Sequence, residues 1–331
     1  MSYNFILLNV ILFFIYFFIS CKFSKKLRLI DYPSDDKTHL TPTPAVGGLI
    51  FYLFYLTVYF EILFNLNLDS FYHYLTIFSF LIFLIGYFDD VVDNNPYLKS
   101  SFFIFIILLF LYLNNEIILK TIDISFLDSS YELNNFFKYF FTVLCFWLLM
   151  NSFNLADGFN GIAISYALIL FISMILIFNL SNIENFIILN FILILSFLLI
   201  FNIKNSFFLG NNGSYLISFF LGVFLIKFYN QNLATMDFSA DRIFLMLMIP
   251  GIDMLRLFIF RIISNNNPFK RDKNHLHHYL KKKISEKWVF IIYNLIIIFP
   301  IIVDNLIKDI TIFLIIFQII VYISIIAKLK N

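Results

Sequence analysis

Apolar residues in this chain run in long unbroken blocks. They do not follow the alternating or three-to-four spacing of half-buried elements. Eleven blocks are read, at roughly 4–21, 46–64, 71–88, 101–113, 136–153, 161–180, 186–203, 214–229, 243–263, 288–303 and 310–327. Most are 16–21 residues long, enough at about 1.5 Å per residue to cross a hydrocarbon core of roughly 30 Å. The block at 101–113 is short and is expected to extend into its flanks. Lipid offers no partner to backbone polar groups, so continuous apolarity predicts helices. The expected fold is therefore all-α: a polytopic integral membrane protein of about 11 transmembrane helices, in one domain over 1–331 without internal repeats. Phe5 to Ser20 has no basic leader and no small-residue cleavage site, and is expected to stay as a membrane helix.

Composition agrees. Of 331 residues, 61% are hydrophobic and only 13% are charged, against about a quarter in soluble domains. Phe alone supplies 48 residues, more apolar surface than a soluble fold of this length can hide. Cys21 and Cys145 both lie in apolar blocks and read as small packing residues.

The net charge of +2 says little; the placement of the charges says more. With the N-terminus outside and alternating crossings, 18 Lys and Arg fall on the inner side and 5 on the outer. The C-terminus is then cytoplasmic. The same alternation puts every motif-like polar loop on the inner side: 31–48, 89–99, 151–161, 204–214 and 265–287. An enzyme that joins a cytosolic substrate to a lipid headgroup needs such one-sidedness.

Asp89, Asp90 and Asp93 close one apolar block. Carboxylates beside hydrocarbon are expensive and usually functional. As hard oxygen ligands they suit Mg²⁺ with a phosphate-bearing substrate, and one member of the pair is a candidate base; the plain alternative is a solvated acidic helix end. Asn151, Asn154 and Asp157 recur every three residues, near one helix face, followed by Gly158, Asn160 and Gly161. Their amides and carboxylate suit a polar ligand such as a nucleobase; a bare helix cap, the plain alternative, would need only one of them. Phe208-Leu-Gly-Asn211-Asn-Gly-Ser214 combines an aromatic with a Gly-flanked turn. Such a turn presents N–H groups to phosphate, and serves equally as an interhelical turn. Arg271, His275, His277 and His278 lie in a basic loop that either neutralises phosphates or touches anionic lipid. A three-histidine zinc site is disfavoured, because His277 and His278 are neighbours. Lys37 and His39 sit in a Pro/Gly loop and are candidates to face a phosphate, although taken alone the segment reads better as a structural loop.

In combination and order these loops resemble the polyprenyl-phosphate N-acetylhexosamine-1-phosphate transferase family, over about residues 31–280. The shared features are Pro42-Thr-Pro44 with Gly47-Gly48, the Asp89–Asp90 pair, Asn151-x-x-Asn154-x-x-Asp157-Gly158, the Gly210–Ser214 turn and the late histidine loop. His275-Leu-His-His278, with Asp253 and Arg256 before it, is similar to the branch that uses UDP-N-acetylhexosamines; the peptidoglycan branch, using UDP-N-acetylmuramoyl-pentapeptide, has three consecutive histidines. The chain departs from the family at Asn211 and Asn160, where relatives carry Asp.

The resemblance implies transfer of N-acetylhexosamine 1-phosphate from a UDP-sugar to undecaprenyl phosphate, releasing UMP. It implies Mg²⁺, or Mn²⁺ in its place, on Asn211, Asp90 and Asp93. Asp89 and Asp90 would be catalytic. Asn154, Asp157, Gly158 and Asn160 would serve the uridine end, with Phe208 stacking on uracil. Lys37, His39, Arg271, His275, His277 and His278 would face phosphates and sugar. The implied partners are the nucleotide sugar, the polyprenyl phosphate and membrane lipid, not nucleic acid; a homodimer is left open. The implied location is the bacterial cytoplasmic membrane, with the site facing the cytoplasm. The main rival from another class is a transporter, whose ionisable groups gather at the midplane and not at one face.

Overall fold

All eleven apolar blocks form helices in the computed structural model. It describes residues 3–33, 41–65, 68–92, 95–127, 129–232, 239–268, 274–307 and 309–330, with backbone alone at 3–7 and 330. In chain order the helices are α1 (Tyr3–Phe23), α2 (Gly47–Asn65), α3 (Ser70–Val92), α4 (Pro96–Leu113), α5 (Asn135–Ala156), α6 (Ile162–Ile177), α7 (Asn182–Ile203), α8 (Gly210–Asn232), α9 (Ala240–Ile263), α10 (Leu276–Lys283), α11 (Glu286–Leu306) and α12 (Thr311–Lys330). Among the described residues nine are long and apolar enough to cross a membrane. The apolar stretches Leu8–Phe23 of α1 and Ile162–Ile177 of α6 are shorter. The expected all-α polytopic architecture is what is observed.

Local chemistry explains several boundaries. The short block at 101–113 does extend, back to Pro96, because Asn95 accepts the Tyr97 N–H and Pro96 fills the first helical position, where no donor is needed. At α7 Ser181 and Glu184 form a reciprocal capping box. The loop expected over 265–287 needs correction: it contains α10. An eight-residue helix carrying three lysines has too few apolar positions for the blocks to reveal it.

The chain divides into two compact units, Met1–Asn114 with Phe171–Leu221, and Asn115–Leu170 with Gly222–Asn331. In the first, α2 packs on α1, α3 and α7, and α3 packs on α4. Phe51, Tyr55, Phe191 and Phe220 form an aromatic knot, with ring centroids 4.6–6.0 Å apart. Asn9 Nδ2 donates to Asn190 Oδ1 at 2.7 Å, pairing two amides buried in apolar helices. A two-residue antiparallel pair, β1 (Ile30–Asp31) with β2 (Thr43–Pro44), is extended by backbone bonds from the chain at 208–209: Phe208 N to Pro44 O, Gly47 N to Phe208 O and Gly48 N to Leu209 O. This lacing fixes the start of α2 beside the start of α8. In α8 every residue from 212 to 229 is buried.

In the second unit α9 packs on α5, α11 and α12. A hairpin, β3 (Thr121–Ile124) and β4 (Ser129–Glu132), is tied down by Asp241, which accepts from Ser125 N and Oγ. Two of the described helices contain an internal proline, which lacks an N–H and leaves the carbonyl four residues earlier without its donor. In α9 Pro250 frees Met246 O, and the Tyr166 hydroxyl donates to it at 3.2 Å. In α11 Pro300 frees Ile296 O, and Gln318 Nε2 of α12 donates to it at 3.0 Å. Each orphan is satisfied from a neighbouring helix, as lipid requires.

Candidate functional site

The first unit gathers three of the sequence motifs. Asp90, in the last turn of α3, accepts Asn211 N on Oδ1 at 2.9 Å, and Asn212 N and Nδ2 on Oδ2 at 3.0 and 2.7 Å. These amides open α8, where N–H groups lack intrahelical acceptors and the helix dipole favours negative charge. Asp90 is thus the cap of α8, supplied from across the fold. Gly210 has φ +78°, and a Cβ there would stand 3.0 Å from Asp90 Oδ2. Close approach extends to the other two helices. A Cβ at Gly86 would sit 2.4 Å from Asn212 Cα, and one at Gly48 would sit 2.0 Å from Asn212 Oδ1. Only glycines allow α2 and α3 to meet the α8 turn this closely.

Asp89, the neighbouring residue, is employed differently. It is 4% exposed and turns to α4, where Lys99 Nζ donates to its Oδ2 at 3.0 Å. Lys99 also donates to Tyr215 Oη at 2.8 Å, and that hydroxyl lies 3.4 Å from Asp89 Oδ2. A carboxylate, an ammonium and a phenol are therefore locked together at one helix end. Asp89 Oδ1 accepts no bond among the described residues, and an ionised carboxylate has lone pairs beyond those used here. A carboxylate oxygen of this kind is a ligand type that Mg²⁺ takes. Among the described residues no three His, Cys, Asp or Glu side chains converge, and Asp93 lies outside them.

The second unit gathers the other two motifs. Asn151 and Asn154 lie half-buried on the last turns of α5, and Asp157 is its C-cap. Gly158 and Asn160 follow, and Gly161 turns the chain at φ +87°. Against this loop stands His277 of α10, 1% exposed. A Cβ on Gly158 would fall 2.9 Å from His277 Nε2, so glycine lets the ring lie flush on the loop. Nε2 itself has no hydrogen-bond partner among the described residues. Burial lowers the pKa of His277 well below the usual value, helped by the charges of His278 and His275, so the ring is neutral at pH 7. The His275 and His277 rings lie parallel, 5.7 Å apart, and His278 is 4.3 Å from His277.

The histidine segment is held from α9 and α12. Asp253, 5% exposed, pairs with His275 Nδ1 at 3.0 Å and accepts Leu276 N at 3.2 Å. Arg256 Nη2 donates to Asp253 at 3.0 Å and to Asn274 O at 2.6 Å. Tyr322 donates to Asp253 Oδ1 at 2.7 Å while accepting from Arg256 Nε.

Asp89, Asp90, Phe208 and Asn211 thus come together in one unit, and Asn154, Asp157, Gly158, Asn160, His275, His277 and His278 in the other. Lys37, His39, Asp93 and Arg271 lie outside the described residues. Sequence reasoning overlooked Lys99, Asn212, Tyr215 and Tyr322 as site residues. Lys99 had one signal, a lone cation at the start of an apolar block. A single Tyr in such a block looks like any packing aromatic.

The family model "Glycosyl transferase family 4" matches residues 72–229. Undecaprenyl-phosphate alpha-N-acetylglucosaminyl 1-phosphate transferase of Thermotoga maritima is 27% identical over 267 residues, covering 80% of this chain and 77% of that protein. The Escherichia coli K12 protein of the same name is 26% identical over 293 residues, with 81% and 73% covered. A probable undecaprenyl-phosphate N-acetylglucosaminyl 1-phosphate transferase of Bacillus subtilis is 27% identical over 316 residues, with 92% and 86% covered.

Proposed function

We propose that the chain is a member of glycosyl transferase family 4, whose model matches residues 72–229, and that it transfers N-acetylglucosamine 1-phosphate from UDP-N-acetylglucosamine to undecaprenyl phosphate. An oxygen of the lipid phosphate attacks the β-phosphorus of the nucleotide sugar. One P–O bond forms as the bond to UMP breaks, and UMP leaves with the electron pair. Such transfer asks the protein for positioning and charge neutralisation more than for covalent chemistry.

The observation that carries the reading is the Asp89–Lys99–Tyr215 lock beside the Asp90-capped start of α8. A buried ion pair at the rim of a membrane helix is costly to build and suits a site that handles charged phosphates. Asp89, held by Lys99, is assigned to the lipid phosphate. Asp90 fixes the α8 turn. Asn154 and Asp157 serve the uridine, Phe208 its base, and His275, His277 and His278 the phosphates and sugar. Mg²⁺, held by Asp89, Asp90 and Asn211, would neutralise the diphosphate. The sorting of Lys and Arg supports an outer N-terminus, a cytoplasmic C-terminus and a site on the cytoplasmic side of the bacterial inner membrane.

The test is the purified protein with radiolabelled UDP-N-acetylglucosamine and undecaprenyl phosphate. Equimolar UMP and lipid-linked label are expected. Absence of both, with folded protein and Mg²⁺ supplied, overturns the reading.

A further inference from the structure

Gly158 lies inside residues 72–229, the stretch that the family model matches, whereas Asp253, His275 and His277 lie beyond it and their support reaches to α12. We propose that Asp253 is a positioning residue that holds His277 against the Gly158 loop, with Tyr322 of α12 completing its grip. The proposal rests on the transferase reading for its kinetic consequence, not for its geometry.

Two features of α10 make an outside anchor necessary. It has eight residues, and helices that short are unstable on their own. Its N-cap residue, His275, makes no side-chain cap bond. The first amide of the helix, on Leu276, would otherwise lack an acceptor. Asp253 supplies one from mid-α9, as Leu276 N lies 3.2 Å from both of its oxygens. The same carboxylate takes His275 Nδ1 at 3.0 Å, and Nδ1 carries the proton there because an ionised carboxylate only accepts. One side chain therefore fixes both the start of α10 and the orientation of its first imidazole.

A carboxylate as buried as Asp253 must itself be satisfied. Arg256 donates to it at 3.0 Å and ties the same cluster to Asn274 O at 2.6 Å. The Tyr322 hydroxyl donates at 2.7 Å. Donors from α9, α12 and the segment 274–276 thus converge on one residue. What the arrangement leaves over is His277 Nε2, buried, without a partner among the described residues, and lying on the Gly158 loop. Its place is set through His275, whose ring runs parallel to its own at 5.7 Å. Asp253 touches no reacting group in this scheme; it acts through His277.

The experiment compares Asp253→Asn, Tyr322→Phe and His277→Ala in the full-length protein, singly and combined. Steady-state kinetics are read beside the rate of tryptic cleavage at Lys281–Lys283. Asp253→Asn is expected to raise KM for the nucleotide sugar about tenfold with a smaller change in kcat, the signature of lost substrate binding. Tyr322→Phe, which removes one hydroxyl and little packing, is expected to raise it about threefold. In the His277→Ala background Asp253→Asn should change KM by less than about twofold, because residues acting as a unit are not additive. Cleavage at Lys281–Lys283 should quicken in Asp253→Asn, while cleavage at Lys22–Arg28 keeps its rate. Multiplying kinetic effects of Asp253→Asn and His277→Ala would overturn the positioning role, as would unchanged cleavage in Asp253→Asn. If Asp253→Asn does not fold, Tyr322→Phe carries the same tests. Quickened cleavage in a protein whose wild type shows no transfer upholds the anchor and removes the transferase reading instead.

Discussion

Lys99, in the first turn of α4, places its ammonium 3.0 Å from the Asp89 carboxylate on the last turns of α3, and both are largely shielded from solvent. Breaking a buried pair leaves an uncompensated charge and costs about 3 kcal/mol or more. Lys99→Met is therefore expected to abolish transfer and lower the melting temperature. Adding Asp89→Asn to it should restore much of the melting temperature but none of the transfer. Thermal unfolding in detergent beside the transfer assay checks this; a Lys99→Met protein with wild-type values on both counts contradicts it.

Gly48 and Gly251 make a matched pair for substitution by alanine. At Gly48 the new Cβ would meet Asn212 Oδ1 at 2.0 Å and Gly213 N at 2.2 Å, and backbone cannot yield cheaply. Overpacking of this kind costs about 1–3 kcal/mol and here would push the α8 turn off Asp90. At Gly251, inside α9, a Cβ meets nothing within 4 Å. Alanine there should stabilise by about 0.5–1 kcal/mol. Equal behaviour of the two variants in thermal unfolding and transfer would refute the close-approach argument.

The Gln318–Ile296 bond answers a donor lost to Pro300. Gln318→Leu should cost about 1–3 kcal/mol by leaving a carbonyl unpaired in an apolar setting. Pro300→Ala returns an N–H to that carbonyl. In the Pro300→Ala background the loss from Gln318→Leu should shrink towards zero, measured as a double-mutant cycle of melting temperatures. Additive losses would mean that Gln318 matters for another reason.

Asn211 offers a metal a neutral oxygen where a carboxylate would add charge–charge attraction. Asn211→Asp is expected to lower the Mg²⁺ concentration needed for half-maximal rate, whatever happens to turnover. A magnesium titration with an unchanged midpoint, in an active and folded variant, would take Asn211 out of the metal set.

His277 gives the fold an acid limit. Its folded-state pKa lies well below its unfolded value of about 6.5, because burial and the neighbouring charges disfavour its cation. Its contribution is complete above pH ~6.5 and is lost as pH falls from there towards the folded value, since only the unfolded chain then takes up the proton readily. The melting temperature of the wild type should fall between pH 7 and pH 5.5, and His277→Gln should flatten that fall. A slope identical in both proteins would show that other groups set it.

The helices were legible in the chain because lipid demands long apolar blocks, and each block became a helix within a few residues of its expected limits. The carboxylates and histidines were legible as residue types in polar loops. Their partners were not. Lys99 and Tyr215 are 116 residues apart, and Asp253 and Tyr322 are 69 apart. Pairings at such separations are made by the packing of helices and leave no local pattern. Asp90 shows the same limit. Its charge was visible, but its use as the cap of a helix that begins 120 residues later depends on three close-packed glycines whose spacing in the chain says nothing of their meeting.

The burial of α8 along residues 212–229 bears on how the protein is made. Among the nine long apolar helices of the described residues its apolar stretch has the lowest mean hydropathy, 1.3, and that of α7 just before it has the highest, 2.7. A segment so rich in Asn, Ser and Gly gains little by entering lipid alone. The nascent chain therefore delivers a strongly lipophilic helix and then one that needs neighbours more than it needs lipid. Helices α1 to α7 precede α8 in synthesis, and α2 and α3 carry the glycines and the aspartate that receive its first turn. Retention of α8 in the membrane is thus an act of assembly, with the ribosome's order of delivery ensuring that its hosts are already in place.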